Sequence, residues 1–251
     1  MRAGAVAARR RSVRRPLVLN AGMHRSLRTL LCGLGAALLL SPGVAQAKII
    51  EVGQTATPNP PSCPASPCQA VSRTTAYQVK VGADRKTFLA PAAGRIVAWS
   101  ITLGTPGAKQ RKFFEDALGG PAKAGVTVLR PGKRLMHTVT GQGPQELLTP
   151  YFGQTVQFPL PTTLAVRKGD IIALSVTTWA PALALGLGND SSWRASRPGN
   201  KCGDTMAQTA QLRTATTTQY RCLYQTARVT FSATLVTTPV PPKAAPKPAQ
   251  P

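Results

Sequence analysis

Hydrophobic and polar positions alternate over much of the chain between Tyr77 and Leu235. Tyr77, Val79 and Val81 take every second place, and Val97, Trp99, Ile101 and Leu103 do so again after the turn signal Pro91-Ala-Ala-Gly94. A period of two places alternate side chains on one face of a strand, so each run predicts a strand with one buried face. Further strands are expected over Gly125–Arg130, Leu135–Thr140, Thr155–Leu160, Leu164–Val166 and Ile171–Val176. The clearest comes last, with Ala227, Val229, Phe231, Ala233 and Leu235 on one side and Arg228, Thr230, Ser232 and Thr234 on the other. Only Gln110–Leu118 carries helical spacing, through Phe113, Phe114, Ala117 and Leu118, and Gly119-Gly120-Pro121 stops it. Strands at short intervals separated by Gly and Pro predict an all-β fold. The expected form is a two-sheet antiparallel sandwich with jelly-roll-like connections and one short inserted helix.

The flanks lack this periodicity. Residues 1–47 run from an arginine-rich stretch through the apolar Leu30–Leu40 to Val44-Ala45-Gln46-Ala47, the order of a secretory signal cleaved after Ala47. Met23 would open a signal of ordinary length. The apolar run is too short to span a bilayer, so no transmembrane anchor is expected in the mature form. Residues 48–75 form a Pro- and Cys-bearing arm, 76–236 the sandwich, and 237–251 a Pro-rich, extended tail.

Charge narrows the partners. The 251 residues carry a formal charge of +23; eight basic residues and no acidic ones lie in 1–47, which leaves +15 on the mature chain. Such a balance favours anionic surfaces and polymers. The basic residues stand singly or in pairs without a basic helix or interleaved aromatics, so no specific nucleic-acid interface is expected. The expected partner of an exported chain is an anionic polysaccharide or envelope polymer, and the expected location is secreted or associated with the cell envelope.

Cleavage removes Cys32 and leaves Cys63, Cys68, Cys202 and Cys222. Four cysteines allow three pairings. Cys63-Pro-Ala-Ser-Pro-Cys68 closes a Pro-rich loop on itself, which makes Cys63–Cys68 and Cys202–Cys222 the expected disulfides. A four-thiolate zinc site would need tight Cys-x-x-Cys knuckles that are absent here.

Candidate chemistry is sparse. His137, the one histidine after residue 47, shares a strand face with Leu135 and Val139, which predicts a structural role. No nucleophile elbow, zinc-protease or calcium-loop motif occurs, and no cofactor fingerprint is found. Asp170 belongs to the turn Lys168-Gly169-Asp170, where its side chain is expected to bond local backbone. Glu115 and Asp116 lie beside Arg111 and Lys112 on the expected helix as solvated ion pairs. The most suggestive stretch runs from Trp179 through an apolar middle to Trp193, Arg194 and Arg197. Exposed tryptophan beside arginine stacks on a sugar or base and grips an acidic group; the opposing expectation is that both rings cover the core.

A leader, a Pro/Cys-bearing arm, a strand with a wrapped tryptophan and the pattern Leu164-Ala-Val166-Arg-Lys168-Gly169-Asp170-Ile-Ile172-Ala-Leu174 resemble secreted β-sandwich proteins of high-GC actinobacteria. The likeness spans about residues 75–236. It implies a sandwich fold and an extracellular compartment, and it supplies no active site. The expected function is therefore a non-catalytic module that binds or decorates anionic polymers. Two alternatives stand beside it. One is a carbohydrate-active enzyme, which needs a carboxylate pair across a cleft. The other is a structural subunit of a surface assembly, which needs an exposed apolar patch near residues 180–188.

Overall fold

The computed structural model describes residues 46–56, 59–197, 199–203 and 209–240. The expected leader lies outside these residues except for Gln46 and Ala47, and so do Asp204 and the tail beyond Val240.

The period-two segments form antiparallel strands. In chain order they are β1 (Ile49–Val52), β2 (Val71–Val81), β3 (Gly94–Thr102), β4 (Lys123–Pro131), β5 (Met136–Gln142), β6 (Glu146–Leu147), β7 (Thr155–Val166) and β8 (Ile171–Ala180). They continue with β9 (Leu183–Ala184), β10 (Ser191–Ala195), β11 (Thr217–Gln219), β12 (Cys222–Gln225), β13 (Arg228–Val229) and β14 (Phe231–Thr237). The smaller sheet has the order β1-β14-β3-β7. The larger has β11-β5-β4-β8-β2-β10-β12, with β6 added beside β4, and β9 pairs separately with β13. The all-β, two-sheet architecture with one helix agrees with the pattern. That helix, α1 (Ala108–Leu118), begins two residues before the expected start and stops at Gly119, whose φ of 96° suits glycine.

The main core lies between the sheets. Ala227, Val229, Phe231, Ala233 and Leu235 are all buried, as their alternation requires. Aromatic pairs fix the packing: Phe88 meets Phe231 at 4.8 Å and Trp99 meets Phe158 at 4.9 Å between ring centres. Central strand β8 is buried along nearly its whole length because the larger sheet is covered on both faces. On the outer face, Tyr77, Leu129, Val139, Ile171, Ala173 and Tyr220 form a second apolar cluster. Beside it, the Ser175 hydroxyl bonds those of Thr75 (2.6 Å) and Thr127 (2.7 Å). The Gln211 backbone N–H donates to Thr75 Oγ1 at 2.8 Å, which lays the chain segment before β11 across this face.

Both expected disulfides form, with Cα atoms 4.4 Å apart for Cys63–Cys68 and 5.3 Å apart for Cys202–Cys222. The second anchors the outer covering to β12.

The arm expected over 48–75 needs correction. Its first residues are not separate from the sandwich: β1 pairs with β14 from Ile49↔Val236 to Val52↔Ala233. Four residues are too few for alternation to stand out, but backbone hydrogen bonding to a sheet edge needs no periodicity. β2 likewise begins at Val71 rather than in the middle seventies. At Gly53 the chain turns with φ of 91°, and a Cβ there would lie 2.5 Å from the Phe88 ring. Glycine is required by both the backbone and the neighbour.

Candidate functional site

The stretch from Trp179 to Arg197 does not form an exposed stacking platform. Trp179 is fully buried; its Nε1–H donates to the Gly120 carbonyl at 3.0 Å, and its ring packs on Phe114 at 4.9 Å. Trp193 is 4% exposed and stacks on Tyr224, with ring centres 4.3 Å apart and planes 21° apart. Arg197 is 3% exposed, donating to the Tyr224 hydroxyl (2.7 Å) and the Ser72 carbonyl (2.9 Å). Arg194 is half-buried and bonds the carbonyls of Tyr220 (3.1 Å) and Arg221 (3.0 Å). Trp193, Arg194 and Arg197 therefore tie β10 and the residues after it to β2 and β12, while Trp179 packs β8 against the end of α1. The physical reason is that an apolar stretch with large rings gains more by burial than by display. The apolar middle follows the same rule: Ala180, Ala182, Leu183 and Ala184 are buried, so no exposed patch forms there.

His137 also belongs to the core. Its Nε2 lies 2.9 Å from the Tyr77 hydroxyl, and its ring packs on Tyr220 at 4.9 Å. Burial, helped by the Arg194 charge, lowers its pKa below the ordinary histidine value. Burial pushes the Tyr77 hydroxyl up to about 12. Both directions favour Tyr77 O–H donating to an unprotonated Nε2.

Sheet order assembles a different surface. β4, β8 and β2 are neighbours, with Leu129↔Ile171 and Ala76↔Leu174 in register. The loops 82–90, 131–135 and 167–170 consequently leave the same end of the larger sheet. Two backbone bonds join the first loop to the third: Ala90 N–H to the Asp170 carbonyl and Gly169 N–H to the Ala90 carbonyl, both 2.8 Å. Each loop carries a basic pair, Arg85-Lys86, Lys133-Arg134 and Arg167-Lys168, and all six side chains are exposed.

Two carboxylates belong to these loops. Asp84 is exposed and accepts the Lys86 backbone N–H. Asp170 is buried and already engaged: it accepts two bonds from Arg130 (3.1 and 3.0 Å) and the Arg167 N–H (2.8 Å). This is the local backbone role expected for that turn. Adjacent strands are about 4.8 Å apart, so the three pairs spread over roughly 10–15 Å. That exceeds the screening length of about 8 Å at physiological salt, so the outer pairs reinforce one another chiefly at lower ionic strength.

The middle pair is held in an unusual backbone. Arg134 and Leu135 have φ of 54° and 61°, the left-handed region that side chains other than glycine seldom occupy. The outer covering fixes them: Gln219 Nε2 donates to the Arg134 carbonyl at 3.1 Å, and Tyr220 N–H to that of Leu135 at 2.9 Å. No pattern along the chain marks this site, because each pair resembles an ordinary solvated turn. The pairs meet only through strand order.

A cleft of about 520 Å3 opens beside the first basic loop. Asp84 and Asp190 both line it, together with Gln54, Asn59, Ser191 and Arg228. Arg228 is 6% exposed, its Nη2 donates to the Gly53 carbonyl at 3.4 Å, and burial lowers its pKa. Among the described residues no group of three His, Cys, Asp or Glu side chains is placed to hold a metal ion.

No protein-family model, curated protein or solved structure matches the chain.

Proposed function

We propose that the chain is a secreted, non-catalytic β-sandwich module, of the actinobacterial type it resembles, that holds anionic cell-envelope or extracellular polymers along the basic end of its larger sheet. The convergence of the three basic pairs carries this reading. Six exposed cations and one exposed carboxylate, Asp84, stand on three loops at one end of the sheet, two of which are bonded to each other. Two disulfides suit an oxidising compartment outside the cytosol. Among the described residues no helix is long and apolar enough to cross a membrane.

Retention on an immobilised anionic polysaccharide and on a neutral one, at low and high salt, tests the proposal. Wild type should be held by the anionic matrix at low salt and released as salt rises. Replacing Lys133, Arg134, Arg167 and Lys168 by alanine should abolish most of that retention. Equal retention of this variant and wild type would remove the site.

A second reading, the carbohydrate-active enzyme, has one observation in its favour: Asp84 and Asp190 line a common cleft. Val81 lies between their strands, paired with Ser191 on one side and bridged to Asp84 on the other. Inverting glycosidases hold their carboxyl groups about 6.5–9.5 Å apart. Release of reducing ends from a polysaccharide, lost in either Asp84→Asn or Asp190→Asn, would establish the enzyme instead.

A further inference from the structure

The cleft beside the basic loops has its own recognition chemistry, opposite in kind to that of the loops. Its volume of about 520 Å3 falls in the range of small-ligand sites, roughly 300–1,000 Å3. Gln54 and Asn59 stand on one wall, on the segment that leads from β1 toward Cys63; Asp84 and Asp190 come from the two turns opposite. Those turns are tied in place. Val81 and Asp84 exchange backbone bonds of 2.9 and 3.0 Å, Ser191 N–H donates to the Gly188 carbonyl at 3.0 Å, and Lys80 Nζ reaches the Asn189 carbonyl at 3.3 Å. The side of the opening that carries Asp84 and Asp190 is therefore framed by bonded backbone.

Hydrogen-bonding capacity is left over inside that frame. Among the described residues, the side-chain amides of Gln54 and Asn59 and the carboxylate of Asp190 bond no other protein group, whereas Asp84 spends one oxygen on the Lys86 N–H. Each amide offers two donors and an acceptor; each carboxylate offers acceptors only. Paired donors and acceptors of this kind match vicinal hydroxyl groups, each of which both donates and accepts. Two exposed carboxylates at the rim outweigh the one lining cation, the buried Arg228, and disfavour a polyanion in the same space; no aromatic ring lines the cleft to stack on a base.

We infer that this cleft is a binding site for an uncharged, hydroxyl-rich saccharide unit, with Asp190, Asn59 and Gln54 as its hydrogen-bonding groups. Because Asp84 directly precedes Arg85 and Lys86, the saccharide site adjoins the basic loops. A polymer with anionic groups and neutral sugar units would engage both at once. The inference stands apart from the polyanion reading, since contacts to uncharged hydroxyls persist at salt concentrations that screen the loops.

Titration of the full chain with neutral tetrasaccharides of glucan, galactan, mannan and arabinan, followed by backbone amide NMR at high salt, is the test. At least one should shift the Gly82, Gly188 and Ser191 amides. Asp190→Ala should weaken that binding about tenfold, the loss of one or two hydrogen bonds to a charged group. Ala56→Trp, at an exposed position on the wall, puts an indole into the space while leaving Gln54, Asn59 and Asp190 in the sequence, and should abolish it. Unchanged thermal midpoints for both variants would establish that the fold is intact. Replacing the basic pair Lys133-Arg134 should leave saccharide binding as in wild type. Absence of shifts with all four sugars, or shifts that Ala56→Trp leaves untouched, overturns the inference. Sugar shifts as expected, with wild type and the Lys133-Arg134 variant retained equally by a polyanion, would instead overturn the reading of the basic loops.

Discussion

Arg197 and Arg134 show how one residue type serves opposite ends within a single sheet. Arg197 sits under Tyr224 with two of its nitrogens bonded to protein oxygens, in a neighbourhood of tryptophan and tyrosine. Arg134 stands exposed at a loop tip in a left-handed backbone, its carbonyl bonded by Gln219 and its side chain in solvent. Along the chain the setting of Arg197 suggests function and that of Arg134 suggests a plain solvated turn. In the folded molecule Arg197 is scaffold, while Arg134 belongs to one of three basic pairs gathered at the sheet end. Aromatic richness marks burial more readily than binding, whereas the meaning of a charged turn depends on which turns lie beside it.

The comparison predicts that the two regions fail differently. The largest effect belongs to the scaffold: Trp193→Ala deletes a buried stacked ring and should cost about 3–5 kcal/mol of stability in urea titration. Polymer retention per folded molecule should stay at the wild-type level. A stable Trp193→Ala variant that no longer binds polymer would break the contrast.

Next comes the covering of the outer face. Replacing Cys202 and Cys222 by alanine releases a loop of 20 residues and should cost about 3 kcal/mol. Hydrogen exchange should quicken at the Tyr220 amide, which donates to the Leu135 carbonyl where the covering pins the loop that carries Lys133 and Arg134. The shorter Cys63–Cys68 bridge should matter less, about 2 kcal/mol in the same loop-entropy description.

A smaller effect depends on pH. His137 has a pKa below its unfolded value of about 6.5, so between those two values the unfolded chain binds more protons than the folded one. Its contribution is fully present above the unfolded pKa and declines as pH falls through the window toward the folded pKa. The slope is at most about 1.4 kcal/mol per pH unit. Thermal midpoints should drop on acidification through that window, and His137→Gln should flatten the change. A midpoint that rose as pH fell would contradict the assignment.

The smallest stability effect should come from the basic loops. Alanine at Lys133, Arg134, Arg167 and Lys168 trims side chains that stand in solvent, and each change should stay within about 0.5 kcal/mol. Binding to polyanions should nevertheless fall steeply, the reverse of the Trp193 result.

Much of the fold was legible because alternation survives wherever one face is buried, as in Phe231, Ala233 and Leu235. Local spacing was also enough for the disulfides, since Cys63 and Cys68 are too close in sequence to need any distant geometry. Other features escaped for definite reasons. Thr155–Leu160 and Leu164–Val166 read as two strands, yet they join in one edge strand, β7, which tolerates Pro159 and Pro161 while its pairing with β3 skips from Pro159 to Leu164. Val97 was expected inside; a register shift between Ile96 and Ala98 buries Ile96 instead and leaves Val97 partly exposed. Arg228 lies on the expected polar face of the last strand run but is buried beside Gly53, which no strand pattern could anticipate. The basic end and the cleft were invisible because both are made by loops distant in sequence.

The most direct measurement is the salt dependence of binding to a soluble polyphosphate, compared between wild type and a variant lacking Arg85, Lys86, Lys133, Arg134, Arg167 and Lys168. If these loops hold the polymer, log affinity for wild type should fall linearly with log salt, and the variant should bind weakly with a slope near zero. A variant with wild-type affinity and slope would contradict the account, because charge elsewhere on the molecule would then be responsible.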